Sequence, residues 1–245
     1  MLRVLALLLL LAACGPALAG ACRGTLYLTL DTGTMAHAEA IAATLKRHDV
    51  RATFFLANER TARGDHALDA SWSGYWRERV REGHRFGSHT WRHGKALGDA
   101  PRGHVRYRPE APAGPVETLS SDAYCRELRR VDDAFRELTG RALDPLWRAP
   151  GGRTTPNALA AATSCGYAHV GWSPAGFLGD ELPSETHPNR VLVDRAVATL
   201  RDGDVLMMHL GIRSRRDPYA PMLDELLGRL KARGFCFAAV PVTRS

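Results

Sequence analysis

The chain has 245 residues, of which 45% are hydrophobic and 24% charged, with 33 Lys and Arg against 26 Asp and Glu for a formal net charge of +7. That length holds one large domain or two small ones, and the apolar fraction is ample for a core. Only Lys46, Lys95 and Lys231 are lysines, and the arginines are scattered rather than clustered among aromatics, which argues against a nucleic-acid surface.

The first element is a targeting segment over 1–19. Arg3 supplies a positive start, residues 4–13 form an apolar run, and small residues follow. The run is too short to span a bilayer. Two processing routes compete: Leu11-Ala12-Ala13-Cys14 resembles a bacterial lipobox with a lipid on Cys14, and Ala17-Leu18-Ala19 before Gly20 resembles an ordinary cleavage site. Either route exports the protein, to the periplasm or to a membrane as an anchored lipoprotein. Cys22, Cys125, Cys165 and Cys236 then remain, an even set in an oxidising compartment. No CxxC spacing exists, which disfavours a redox or zinc-ribbon role. The remaining cysteines are either buried thiols or two disulfides.

Strand and helix patterns alternate through the rest of the chain. Residues 25–30 read as a strand ending at Asp31, 36–48 as a helix with Ile41 and Leu45 on one face, and 52–56 as a buried strand. A helix over 72–82 stops at Gly83, and a short strand over 84–87 delivers His89. Residues 94–121 are rich in Gly, Pro and Arg without periodicity, and read as a long irregular loop bordering the site. Residues 121–139 form a helix with Ser120 or Ser121 as N-cap and Gly140 as stop. Then come a strand at 146–148, a helix at 157–165 stopped by Gly166, and a strand at 167–172. A helix at 188–200, a strand at 204–208 carrying His209, a helix at 219–233 and a strand at 235–240 complete the ladder. Such a ladder predicts a mainly parallel sheet with functional groups at the strands' C-terminal ends. No repeat, low-complexity tract or linker interrupts it. On this order Cys22 pairs with Cys236 and Cys125 with Cys165.

Four clusters lie at those ends. His89-Thr90-Trp91-Arg92-His93 places two imidazoles four residues apart, projecting from the same side of a helical turn. Neutral imidazole is the commonest protein ligand for a transition metal. Asp31 lies in Thr29-Leu30-Asp31-Thr32-Gly33, Arg148 in Arg148-Ala149-Pro150-Gly151-Gly152, and His209 after Leu206-Met207-Met208. His89 and His93 can hold a divalent ion, zinc being expected. An ion so held lowers the pKa of water from about 15.7 towards roughly 7 to 9. Asp31 is placed to take a proton from that water, with Arg148 holding it ionised. His209 is placed to protonate a leaving amine. Together these are parts for metal-assisted hydrolysis of an amide or ester.

In this order the motifs resemble those of the polysaccharide deacetylases with a NodB-like domain, carbohydrate esterase family four, over about residues 24–242. Ala52-Thr53-Phe54-Phe55 and Glu82-Gly83-His84 add to the likeness. The resemblance implies a single α/β domain, a distorted (β/α) barrel of about seven parallel strands, and metal-dependent removal of acetyl groups from sugars. It implies Asp31 as general base, His89 and His93 as metal ligands, Arg148 as the residue orienting the base, and His209 as general acid. Trp91, Pro150, Gly152 and Trp172 would line the sugar groove, with Gly151 standing where an aromatic is common.

Two departures stand out. Thr32 occupies the place of a second aspartate, normally the third metal ligand, so the ion is held more weakly or completed by another group. The segment 172–177 lacks the aspartates of the fourth motif, and Asp180 is the nearest substitute for one that would pair with Arg148. The expectation is an exported, monomeric N-deacetylase acting on an envelope glycan, either peptidoglycan or poly-N-acetylglucosamine. Membrane contact is limited to a lipid on Cys14. The alternatives are a catalytically impaired glycan-binding protein on the same fold and a hydrolase of a small linear amide.

Overall fold

The computed structural model describes residues 22–242, so the expected targeting segment and Cys14 lie outside the described residues. Ten strands and six α-helices follow in order: β1 (Gly24–Asp31), α1 (Ala38–Arg47), β2 (Thr53–Leu56), α2 (Ser73–Arg81), β3 (Arg85–Ser88), β4 (Lys95–Ala100), β5 (His104–Arg108), β6 (Glu117–Leu119), α3 (Ser121–Thr139), β7 (Leu146–Trp147), α4 (Pro156–Ser164), β8 (Ala168–His169), α5 (Asn189–Thr199), β9 (Val205–His209), α6 (Leu223–Ala232) and β10 (Phe235–Phe237). Short 3-10 turns lead into α2 and α6, at Ala70–Trp72 and Ala220–Met222.

Local chemistry sets the ends of these elements. The Ser120 hydroxyl accepts from the Ala123 N–H and caps α3, and Gly140, with φ of 76°, ends it in the left-handed conformation. Thr155 caps α4 in the same way, with Pro156 in the first helical turn, where its missing N–H costs nothing. Ile41 and Leu45 are buried on one face of α1, as their spacing predicts.

Seven strands form one parallel sheet in the order β10-β1-β2-β3-β7-β8, and β9, off this path, also pairs with β1. The sheet curls into a half-barrel. On its open side the chain after β8 reaches β9: the Leu178 N–H donates to the Met207 carbonyl at 3.3 Å, and Phe177 bridges Met207. The expected single α/β domain with about seven parallel strands is therefore observed. Strands β8 and β10 are shorter than expected, because the chain beyond each gives up regular ladder pairing.

Helices cover the outer face. Phe54 on β2 stacks on Phe86 of β3 at 5.7 Å and meets Trp76 of α2 edge-on at 6.0 Å, while Phe135 of α3 closes on Phe86 at 4.6 Å. All four rings are fully buried. At about 1.5–3 kcal/mol or more for each such side chain, this cluster anchors α2 and α3 to the sheet.

The segment expected to be an irregular loop is a correction. Residues 95–119 hold a second, antiparallel sheet in the order β4-β5-β6. Its strands are short and β4 carries a register shift between Ala96 and Gly98, so the sequence shows little periodicity. Val105 and Tyr107 nonetheless point inward while Arg106 and Arg108 are exposed. The Tyr107 hydroxyl ties the sheet to α3 by donating to Glu127 at 2.9 Å.

Both disulfides have the expected pairing. Cys22–Cys236 joins the chain before β1 to β10, and Cys125–Cys165 joins α3 to the end of α4. In the chain-entropy view, loops of 214 and 40 residues restrict the unfolded chain by about 5 and about 4 kcal/mol. No helix among the described residues is long and apolar enough to cross a membrane.

Candidate active site

The C-terminal ends of β1, β2, β3, β7 and β9 bring together Asp31, Glu59, His89, Arg148 and His209. Parallel strands all point their C-terminal ends one way, so residues distant in sequence converge there. Asp31 ends β1, His209 ends β9, and the two are register partners on neighbouring strands. His89 directly follows β3, and Arg148 directly follows β7.

Asp31 and Arg148 form a fully buried pair. Arg148 Nη1 donates to Asp31 Oδ1 at 2.9 Å and to the Thr29 hydroxyl at 2.7 Å. Its Nε and Nη2 donate to the carbonyls of Val170 and Gly171 at 3.1 and 3.0 Å. Phe55 and Trp172 flank the guanidinium at 4.3 and 5.5 Å. A guanidinium satisfied on every side is rigid and permanently charged. Burial opposes ionisation of Asp31, but the Arg148 charge and hydrogen bond, helped by the nearby histidines, hold the carboxyl below its ordinary range. Asp31 Oδ2 is left towards His89, 3.5 Å from its Nε2.

His89 Nδ1 is 2.9 Å from the Arg148 carbonyl. A carbonyl only accepts, so Nδ1 carries the proton and Nε2 presents a lone pair to the site. Burial lowers the His89 pKa to about 4, so the ring is neutral near pH 7, the form a metal requires. The two histidines do not lie on a helical turn, which corrects the expectation. Thr90 and His93 both have positive φ, 62° and 47°, and the tight turn they make brings the rings to 4.9 Å between centroids. His93 Nδ1 faces two carboxylates, Glu59 at 3.7 Å and Glu110 at 3.6 Å.

His209 has its own buried partner. Asp180 accepts the His209 backbone N–H at 2.7 Å, and both of its oxygens are 3.2 Å from Nδ1. Burial alone would lower the His209 pKa; the Asp180 charge and hydrogen bond, with Asp31 and Glu181, overcome it and raise the value to about 9. Asp180 therefore pairs with His209 and not with Arg148, correcting the sequence reading. Arg148 is already committed to Asp31, Thr29 and two carbonyls.

Of the expected groove residues, Pro150 is buried at the start of the turn, and Gly152 has φ of 65° with the Trp172 ring so close that a Cβ would lie 2.7 Å from it. Trp172 is half-buried. Trp91 packs against the main core, with the Arg130 guanidinium 4.2 Å from its ring. Beside the paired charges opens a cleft of about 540 Å³, lined by Gly33, Glu59, His66, His93, Glu110 and Arg213 among others. The 94–121 segment does border this site, through Glu110.

Three residues near the chemistry escaped the sequence reading: Thr29, Glu59 and Glu110. Glu59 had a signal, since it follows the C-terminal end of a buried strand as Asp31, His89 and Arg148 end or follow theirs. Among the described residues no three His, Cys, Asp or Glu side chains are gathered around one ligation point. The donors nevertheless suit a divalent ion: two imidazoles side by side, one with its tautomer fixed by a carbonyl, and carboxylates next to the other.

The polysaccharide deacetylase family model matches residues 20–170. An uncharacterized 30.6 kDa protein of Geobacillus stearothermophilus is 28% identical over 88% of this chain and 69% of its own length. A peptidoglycan-N-acetylglucosamine deacetylase of Bacillus cereus is 24% identical over 87% of this chain and 66% of its own. Among solved structures, a family 4 acetyl xylan esterase from Clostridium thermocellum in complex with a cobalt ion superposes with a TM-score of 0.66 at 21% identity, covering 88% of this chain and 87% of that one. A CE4 family pseudoenzyme from Bacillus anthracis superposes with a TM-score of 0.65 at 19% identity, covering 89% of this chain and 64% of that one. Strand-end residues and family match point the same way: the chain belongs to the polysaccharide deacetylase family.

Proposed function

We propose that the protein is an exported, metal-dependent N-deacetylase of an N-acetylated envelope polysaccharide, peptidoglycan or poly-N-acetylglucosamine. One observation carries the reading: an ionised, buried Asp31 with one oxygen uncommitted lies in register with a His209 that is protonated at neutral pH. A base and an acid poised on neighbouring strands are what amide hydrolysis requires.

His89 and His93 would hold the ion, whose contribution is Lewis acidity towards water and an acyl carbonyl. The chain's own groups do the rest. Asp31 Oδ2 accepts a proton as water attacks the acetyl carbon, while Arg148 keeps the carboxylate oriented. His209 gives its proton to the departing nitrogen as the carbon–nitrogen bond breaks, leaving acetate and a free amino sugar. Asp180 stabilises the imidazolium beforehand. Trp172 and the Pro150–Gly152 turn form one wall of the sugar groove.

The peptidoglycan deacetylase among the relatives supports the substrate class. The chain spans between 66% and 76% of the curated relatives' lengths, so the proposal concerns the catalytic domain they share. The two disulfides support export, by whichever processing route acts on residues 1–19.

The rival reading of a glycan-binding protein without turnover is favoured by Thr32 and by the pseudoenzyme among the structural neighbours. Against it stand two buried charge pairs, which cost desolvation energy and are poor stabilisers of a fold. The test is acetate release from N-acetylglucosamine oligomers, comparing the wild type with a His89→Ala, His93→Ala variant. Release confined to the wild type supports the proposal; equal rates end it, and tight oligomer binding without release transfers the case to the rival.

A further inference from the structure

We propose that Glu127, on α3, is the positioning residue of the turn between His89 and His93, with Tyr107 and Glu117 of the second sheet as its supports. The inference rests on the metal-hydrolase reading and gives the antiparallel sheet a task in it.

The turn does not hold itself. Thr90 and His93 both have positive φ, and a β-branched threonine is among the side chains least suited to that region. Such backbone persists only where its surroundings over-determine it. A relaxed φ at position 93 would re-aim the His93 ring away from His89, so whatever holds the turn also holds the pair.

Glu127 supplies most of that hold. Its backbone carbonyl accepts the Trp91 N–H at 2.8 Å, and its Oε2 accepts the Arg92 N–H at 3.0 Å. Arg92 Nε donates to its Oε1 at 2.8 Å. One residue of α3 thus takes two successive backbone N–H groups midway between the imidazoles. The support comes from the antiparallel sheet. The Tyr107 hydroxyl, which donates to Glu127 Oε2, accepts the Gly94 N–H at 3.0 Å just past His93. A Cβ on Gly94 would overlap the Tyr107 ring, so only glycine admits this approach. Glu117 receives both terminal nitrogens of Arg92, at 2.7 and 2.8 Å.

Fold support alone does not call for this arrangement. Helix α3 is already anchored through Phe135 on Phe86, and Glu127 is a buried carboxylate, which is costly to desolvate. Glu117, Glu127 and Tyr107 also lie outside the residues that line the cleft, so their influence on the reaction passes through the turn.

The experiment combines proton NMR of the histidine-labelled, chelator-stripped protein with steady-state acetate release from N-acetylglucosamine oligomers. Glu127→Gln keeps the side chain's shape but turns one accepting oxygen into a donor that faces another donor. The through-space contact between the His89 and His93 rings, 4.9 Å apart in the intact turn, is then lost. The variant's kcat falls about 10–100-fold while KM stays within about threefold, since the oligomer's own contacts are untouched. Glu82→Gln is the control, because it breaks another largely buried pair, Arg79–Glu82, away from the turn. That protein loses comparable stability in thermal melts and keeps the wild-type ring contact and kcat. Should Glu127→Gln fail to fold, Tyr107→Phe removes one hydroxyl from the same network and weakens the contact and kcat in the same direction. A ring contact that survives in the folded variant, or a kcat loss no larger than in Glu82→Gln, overturns the role of Glu127. If the wild type releases no acetate, the metal-hydrolase reading fails by itself, and the ring contact still decides what holds the turn.

Discussion

Asp31 and Asp180 are both buried carboxylates next to a cationic side chain, yet the partner gives them opposite tasks. Arg148 is a permanent cation, so its pairing pulls the carboxyl of Asp31 down and leaves a reactive anion with a free oxygen. His209 is a titratable cation, so Asp180 spends both oxygens and its charge on raising the partner's pKa. In the proposed reaction the same residue type thus makes a base at the end of β1 and an acid at the end of β9. What separates the two is whether the cation can lose its proton.

The largest expected effect comes from erasing the first pair's charge. Asp31→Asn lowers the rate of acetate release by roughly 10²–10⁴-fold, the usual contribution of a positioned base. A rate within threefold of wild type would remove Asp31 from the chemistry. Cutting the pair from the other side acts on stability as well. Arg148→Met strands an unpaired buried carboxylate and costs about 3–5 kcal/mol in denaturant unfolding. It also lets desolvation raise the Asp31 pKa, moving the acid limb of the activity profile upward. An unchanged unfolding midpoint would show that the pair is dispensable to the fold.

The second pair is read through pH. In the proposed mechanism His209 acts in its protonated form, so activity is expected to persist below its pKa and to fall as pH rises through about 9. Its folded pKa exceeds the ordinary 6.5, so the pairing also stabilises the fold fully below pH 6.5 and loses that contribution as pH climbs through about 9. Asp180→Asn removes the charge that holds the proton, and the basic limb of kcat moves down by a unit or more, about a twofold loss of rate at pH 8 for one unit and about tenfold for two. A limb that stays near 9 would assign it to another group. The smallest effect belongs to His66, which lines the cleft outside both pairs. His66→Ala leaves stability within about 0.5 kcal/mol and acetate release near wild type, which checks that the larger losses are specific.

Much of this was legible before folding. The β1, β3, β7 and β9 strands and the residues at their ends follow from apolar runs broken by polar residues, because strand length and burial are written locally. Ser120 and Gly140 mark the bounds of α3 for the same reason. The β4–β6 sheet was hidden because its short strands and the shift at Ala96/Gly98 erase the two-residue period. The turn between His89 and His93 was hidden because i, i+4 spacing looks helical while Thr90 and His93 adopt positive φ, which side-chain pattern does not reveal. Asp180 was noticed but matched to the wrong partner, since pairing across 29 residues depends on how the 172–180 segment crosses to β9.

By itself the sequence determined the alternation of strand and helix, the even cysteine set, and which residues would stand at strand ends, since each depends on neighbours within a few positions. Only the tertiary structure decided which cation meets which carboxylate and that Glu127 reaches the turn between His89 and His93. Those matches depend on strand order and on the curl of the sheet, properties of many distant residues acting together.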